Sequence, residues 1–224
     1  MVKTVLSSSI RGISGSPVSV ETDVSNGLPS FSIVGLGDTA IQESRDRVRA
    51  AIRNSGFSFP AKRVTVNLAP AELRKSGPAF DLAIALGIVA EECGLSEKDF
   101  SGIAILGELA LDGSLRKIGG VIAHAASLAE SGVSDVILPL SDAPEAARIP
   151  GIRAFGAENL LHTVKILEGR RLGSAVPARA KPHAGANPER NIPDYSQIAG
   201  QERAKRALEI AAAGGHNVLL EGAP

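Results

Sequence analysis

Alternating apolar and polar residues near the start of the chain predict short strands. The first three alternating stretches are separated by Gly, Pro and Asn, which are typical turn residues, and they predict an antiparallel meander. These stretches are residues 2–13, 18–24 and 30–34. A similar pattern at 64–68 predicts another strand. The dipeptide Asp112-Gly113 separates the apolar stretches 103–111 and 114–118 and predicts a β-hairpin.

Helices are predicted where apolar residues recur every three or four positions. Ile41, Val48 and Ile52 have this spacing, and Asp38 precedes them as a candidate helix cap. Residues 80–92 are nearly all Ala, Leu, Ile and Val, so this helix is expected to be buried. Further helices are predicted at 121–131, 142–148, 158–168 and 201–212, and further strands at 135–138, 152–155 and 217–220.

A change in composition divides the chain. Residues 170–193 contain Pro, Ala, Arg, Gly and Asn and almost no bulky apolar residue, which is typical of a linker. We therefore predict an α+β domain at 1–168, a linker at 169–192 and the start of a second, α/β domain at 193–224. The hydrophobic content of 44% is enough for one large core and a smaller one.

Charge and cysteine content exclude some classes of protein. Lys and Arg number 24, as do Asp and Glu, so any nucleic-acid contact would need a local basic patch. The single cysteine, Cys93, excludes an internal disulfide, and there is no signal-peptide pattern or membrane-length apolar run. We expect a cytoplasmic protein without a membrane partner. The four histidines are scattered, so no metal site is predicted.

The end of the chain carries a motif fragment. An apolar stretch that ends in glycine is how a phosphate-binding loop begins, although this feature alone is more typical of an ordinary strand and turn. Residues 194–201 and 204–220 around it resemble the opening of the AAA+ module in magnesium-chelatase-like ATPases of the ComM/YifB family.

This resemblance implies a partial ATP site. Ile198 and Ala199 would border the adenine, and Gly222, Ala223 and Pro224 would open the phosphate loop. The lysine and the hydroxyl residue of a complete loop would lie beyond this truncated start of the AAA+ domain. We therefore expect ATP and Mg²⁺ as cofactors of a longer parent protein. For the chain itself we expect no cofactor and no ATP hydrolysis.

The first domain resembles the same family. Residues 43–52, 66–70 and 80–87 are similar to signature stretches of ComM/YifB proteins.

More distantly, the first domain resembles the proteolytic domain of Lon, which uses a serine nucleophile and a lysine. Ala79 stands at the serine position in Gly-Pro-Ala, and Ile122 stands at the lysine position after Gly-Gly. Neither side chain can attack a carbonyl or transfer a proton, so a Lon-like fold without protease activity is implied. Ser76 and Lys117 could be proposed as a displaced pair, but both lie outside the matched positions.

Arg45, Arg49 and Arg53 recur every four residues on the first predicted helix. Such a row could contact DNA phosphates. Alternatively, it is a solvated face balanced by Glu43 and Asp46, and we favour this second interpretation.

The family resemblance implies an ATP-driven ring, expected to be a hexamer, that moves along branched or single-stranded DNA. ComM-type members promote branch migration in natural transformation and recombination, and the first domain would then have a non-catalytic role in assembly or in DNA or partner binding. Two alternatives stay open. One is a magnesium-chelatase-type metal-insertion motor, and the other is an inactive-protease module that binds proteins through the cleft near Ala79 and Ile122.

Overall fold

The computed structural model describes residues 2–35, 39–73, 75, 77–171 and 194–222. The described residues belong to two compact units, divided between residues 181 and 182. The predicted helix cap Asp38 lies outside the described residues, and so does the predicted linker from residue 172 onwards.

Helices and strands alternate through most of the first unit. Its strands are β1 (Val2–Arg11), β2 (Ser14–Ser25), β3 (Ser30–Val34), β4 (Arg63–Ala69), β5 (Ile103–Ile105), β6 (Glu108–Leu109), β7 (Leu115–Arg116), β8 (Asp135–Pro139) and β9 (Arg153–Ala157). Its helices are α1 (Thr39–Asn54), α2 (Asp81–Val89), α3 (Glu97–Phe100), α4 (Val121–Glu130), α5 (Ala143–Ala146) and α6 (Leu160–Arg171).

Seven strands form one mixed and mostly parallel sheet in the order β3-β4-β2-β1-β5-β8-β9. The β1–β2 and β2–β4 pairs are antiparallel, and the other four neighbouring pairs are parallel. The predicted meander is correct for β1 and β2 but wrong for β3, which pairs with β4 instead of β2. Val64, Val66 and Leu68 of β4 are fully buried, so β4 takes the inner position and leaves β3 at the edge.

The predicted hairpin forms, but it is shorter than expected. Only β6 and β7 pair across Asp112-Gly113, while β5 joins the main sheet. The predicted strand 103–111 is interrupted because Gly107 bonds to the start of α2: its N–H donates to the Ala79 carbonyl (2.8 Å), and its carbonyl accepts from the Leu82 N–H (3.0 Å).

Two apolar clusters cover the two faces of the sheet. Ile103 and Ile105 of β5 belong to the cluster under α1 and α2, whereas Ala104 belongs to the cluster under α4 and α5. This division follows from the alternation of side chains along a strand. Every residue of α2 is buried, as its nearly continuous apolar sequence predicts. Burial of each large side chain, such as Leu82, contributes about 1.5–3 kcal/mol.

The second unit is described by a short 3₁₀ helix, Tyr195–Gln197, and by α7, Glu202–Gly214. The Asp194 carboxylate accepts a hydrogen bond from the Ser196 N–H (2.8 Å) and so begins the 3₁₀ helix. The predicted strand at 217–220 is wrong for the described residues, in which this stretch has no strand partner. Its apolar side chains are exposed, as expected for an extended segment without a neighbouring strand.

Candidate functional site

The turn before α2 is fixed against the segment that connects β5 and β6. Ala79 is 8% exposed and packs in the apolar cluster under α4. The Ala79 carbonyl accepts a hydrogen bond from the Gly107 N–H, and the Leu82 N–H donates to the Gly107 carbonyl. The position that resembles the Lon nucleophile therefore carries a buried methyl group, and its carbonyl is hydrogen-bonded to Gly107.

Ile122, the position that resembles the Lon lysine, lies in the first turn of α4. Its neighbour Val121 is buried in the cluster that contains Ala79, but Ile122 itself is 41% exposed and lies outside that cluster. Gly120, before the helix, has a φ of 69°, and a Cβ there would collide with Ile10. The structure does not join Ala79 and Ile122 in one cluster, and neither side chain has a group that transfers protons.

A buried ion pair connects α1 with the start of α2. The Asp81 carboxylate is fully buried and accepts hydrogen bonds from Arg47 Nε (2.9 Å) and Arg47 Nη2 (3.3 Å). The Leu109 N–H donates to it at 3.3 Å, and Ser44 forms a further hydrogen bond. Burial raises the pKa of Asp81, while the bonds from Arg47 and Ser44 oppose this rise.

Sequence reasoning missed this pair. A signal was present, because Asp81 is a lone acidic residue at the start of an otherwise apolar helix and needs a partner if that helix is buried. The identity of its partner could not be read from the sequence, since Arg47 lies 34 positions earlier.

Lys75 is a buried cation that sequence reasoning also missed. Its Nζ donates to the Pro70 carbonyl within the same loop. Burial lowers the pKa of Lys75, and the negative charge of Glu72 opposes this change. Of the displaced pair considered above, Ser76 lies outside the described residues and Lys117 is exposed.

The three arginines of α1 have different surroundings. Arg45 is half exposed, and its Nε lies 3.5 Å from Asp46. The Arg49 guanidinium lies over the Phe59 ring, 4.8 Å from its centroid, and its Nε has no hydrogen-bond partner in the described part of the chain. Arg53 is exposed. Arg45 and Arg53 are therefore open to a ligand, whereas Arg49 is partly held by Phe59.

The residues that resemble a nucleotide site are open to solvent. Ile198 is 43% exposed, and Ala199 and Gly222 are also exposed. An added Cβ at Gly222 would meet no atom within 4 Å, so a phosphate could approach its backbone. Ala223 and Pro224 lie outside the described residues. No strand precedes Gly222 within 194–222.

Within the described ranges, no three His, Cys, Asp or Glu side chains are placed to hold a metal ion. No helix among the same residues is both long and apolar enough to cross a membrane.

Comparisons with known proteins bear on both units. Residues 20–142 match the family model described as subunit ChlI of Mg-chelatase, and residues 194–224 match the model described as magnesium chelatase, subunit ChlI. Lon protease from Mycolicibacterium smegmatis is 24% identical over 147 residues, which is 63% of this chain and 19% of that protein.

Two bacterial relatives are similar over nearly the whole chain. The chain is 41% identical over 214 residues to the uncharacterized protein YifB of Escherichia coli strain K12, and 40% identical over 220 residues to the competence protein ComM of Haemophilus influenzae. These matches cover 95% and 98% of this chain but 41% and 43% of the relatives, so the chain spans about two fifths of their length. The matches confirm the family resemblance over nearly the whole chain, and the chain belongs to the ComM/YifB family of magnesium-chelatase-like proteins.

Proposed function

We propose that the chain is the N-terminal part of an AAA+ ATPase that assembles into a ring, a hexamer, and moves along branched or single-stranded DNA. In this proposal the motor promotes branch migration during natural transformation and recombination. The similarity to ComM over 98% of the chain supports the proposal. The match of residues 194–224 to a magnesium-chelatase model supports ATP and Mg²⁺ as cofactors.

The first domain has a non-catalytic role in this proposal. The observation that carries this part is the environment of Ala79, whose methyl group is buried while its backbone is bonded to Gly107. A protease fold with alanine and isoleucine at the dyad positions keeps its packing but has no nucleophile and no base. Such a domain is suited to assembly or to binding of DNA or a partner protein.

ATP, when bound, supplies the free energy of phosphate hydrolysis to the motor. In this proposal Ile198 and Ala199 border the adenine, and Gly222 begins the loop whose backbone N–H groups hold the phosphates, followed by Ala223 and Pro224. The match of residues 194–224 to the model described as magnesium chelatase, subunit ChlI, supports this role.

The direct test is branch migration by the full-length protein. A labelled three-strand DNA fork is incubated with the protein and ATP, and displacement of the labelled strand is followed on a native gel. We expect displacement that requires ATP hydrolysis and stops with a non-hydrolysable analogue. Displacement that proceeds equally with the analogue, or none at saturating protein, would overturn the motor proposal.

Contact of α1 with DNA is tested by salt dependence. If these arginines contact DNA phosphates, replacing Arg45, Arg49 and Arg53 together by Gln should flatten the slope of log K against log salt, because each lost phosphate contact changes the slope by about 0.9. A matched control replaces Lys98, Lys117 and Lys165 by Gln, which removes equal charge from other exposed positions. Equal slopes in the two variants would show that α1 is a solvated face.

The family models named for ChlI favour a second candidate, a metal-insertion motor of the magnesium-chelatase type. In that case ATP hydrolysis by the full-length protein should respond to protoporphyrin and a chelatase partner subunit, and it should not respond to DNA. Measuring the same ATP turnover with each addition separates the two candidates.

A further inference from the structure

One edge of the main sheet is formed by β3, and this edge is open in the described part of the chain. β3 pairs with β4 on its inner side only. The Ser30 N–H donates to the Lys62 carbonyl (3.4 Å), so the main-chain groups of Ser30, Ser32 and Val34 point towards β4. Because these groups alternate along a strand, the N–H and C=O of Phe31 and Ile33 point outwards.

Among the described residues, the open edge also lacks the usual protection against pairing. Edge strands are commonly blocked by charged side chains, by a proline within the strand or by a covering segment. Residues 27–35 contain no charged residue, in a chain in which 21% of residues are charged. Among them, Leu28 is 84% exposed and Val34 is 49% exposed. The strand at the opposite edge, β9, carries the exposed Arg153, which is bound to Asp135.

We propose that this edge pairs with the same edge of a second copy of the chain, antiparallel and about a two-fold axis through Ser32. In this register Phe31 of each chain is opposite Ile33 of the other. Each such pair exchanges two hydrogen bonds, and the two Ser32 residues form the non-hydrogen-bonded pair between them. The outward N–H and C=O groups of Phe31 and Ile33 in both strands then all have hydrogen-bond partners inside β3.

The sequence around β3 favours this register over its neighbours. Shifting the axis to Phe31 would place Ile33 opposite Pro29, which has no N–H to donate. Shifting the axis to Ile33 would place Phe31 opposite Gly35, beyond the end of the strand. The axis through Ser32 is the one in which both outward residues of each strand have partners inside β3.

Charge and size determine the strength of the contact. Two uncharged strands meet without repulsion, and Ser30 of one chain lies opposite Val34 of the other. The contact between two five-residue strands buries less surface than the roughly 1,000 Å² that is typical of a stable interface. We therefore expect the dimer to be weak and to form reversibly as the protein concentration rises. This inference does not rest on the proposed motor function, since it concerns pairing of the first unit alone.

Disulfide trapping tests the register. Ser32→Cys is introduced into the 224-residue chain with Cys93→Ala, and oxidised glutathione is added as the oxidant that converts two thiols into one disulfide. Cα atoms of a non-hydrogen-bonded pair lie about 4.5 Å apart, within the range that a disulfide can bridge. In the control Val34→Cys, the two thiols lie four positions out of register, with Cα atoms about 13 Å apart.

We expect crosslinked dimer from Ser32→Cys, increasing with protein concentration, and little from Val34→Cys. Equal crosslinking of both variants, or of neither, would overturn the inference. Circular dichroism of the reduced variants checks that both are folded, which is expected because Ser32 and Val34 are exposed.

Charge complementation provides a second, independent test. Ser32→Lys and Ser32→Glu each place like charges at the axis, so each variant alone should sediment as a smaller species than the unmodified chain at the same concentration. An equal mixture should recover the dimer, because Lys then lies opposite Glu. A dimer that persists in Ser32→Lys alone, or a mixture that behaves like the separate variants, would contradict the two-fold contact.

Discussion

Replacing Arg47 by Met is expected to destabilise the first unit strongly, because it leaves the buried Asp81 carboxylate without its cation. The two side chains are joined by hydrogen bonds of 2.9 and 3.3 Å, and Asp81 has no exposed surface. Met keeps most of the apolar stem of Arg47, so the loss reports the ion pair more than the packing.

The expected cost follows from the burial of the two groups. Removing one partner of a buried pair costs about 3–5 kcal/mol. The Arg47 side chain is 21% exposed, so water can partly replace it, and the Leu109 N–H still donates to the carboxylate. We therefore expect a loss of about 3 kcal/mol in the free energy of unfolding near neutral pH.

The loss should depend on pH. Burial already raises the pKa of Asp81 in the folded protein, and without Arg47 this pKa should rise further. When the pKa of a carboxyl group is higher in the folded than in the unfolded protein, the group stabilises the fold at a pH below its unfolded-state pKa. This stabilisation is lost as the pH rises through the folded-state pKa. The Arg47→Met variant should therefore be closest to the unmodified protein at acidic pH.

Urea unfolding, followed by circular dichroism at pH 5 and pH 8, measures both effects. The control is Arg45→Met on the same helix, whose ion pair with Asp46 is exposed and is expected to contribute less than about 0.5 kcal/mol. Similar losses in the two variants, or a loss for Arg47→Met that does not change with pH, would refute the reasoning.

Two further predictions concern buried polar groups in the first unit. Burial lowers the pKa of His124 to about 4, so the folded protein should lose stability as pH falls from 6.5 towards 4, by on the order of 3 kcal/mol. Urea unfolding of His124→Leu across this window should show a smaller loss than the unmodified chain. The Thr22 hydroxyl is buried without a hydrogen-bond partner among the described residues, so Thr22→Val should raise the free energy of unfolding by about 1 kcal/mol. Thr163→Val, which removes a hydroxyl that donates to the Asn159 carbonyl at 3.0 Å, should lower the free energy of unfolding by a similar amount in the same urea experiment.

Local patterns in the sequence predicted the elements whose environment is set by their own residues. The buried helix α2 followed from an apolar run, and the turn at Asp112-Gly113 followed from a dipeptide that favours it. The Asp112 carboxylate stabilises that turn by accepting from the Ser114 N–H at 2.9 Å.

Long-range pairing could not be predicted in this way. The turn residues between β2 and β3 do not encode which strand β3 joins, because that choice depends on the burial of Val64, Val66 and Leu68 in β4. The apolar stretch 217–220 has the composition of a strand, but a strand also needs a neighbour with which to form hydrogen bonds.

In the candidate site, too, some features could be predicted from the sequence and others depend on long-range contacts. Ala79 and Ile122 were identified by resemblance, and the structure adds that Ala79 is packed in the core whereas Ile122 is 41% exposed. The Arg47–Asp81 pair, which fixes the start of α2 beside Ala79, depends on a contact between residues distant in the sequence.

The measurement that tests the central claim most directly is ATP hydrolysis by the full-length protein with and without forked DNA. We predict that DNA increases turnover, whereas protoporphyrin does not, and that peptides are not cleaved under either condition. Turnover that is unchanged by saturating DNA, or that responds to protoporphyrin instead, would contradict the proposal that the full-length protein is a DNA motor.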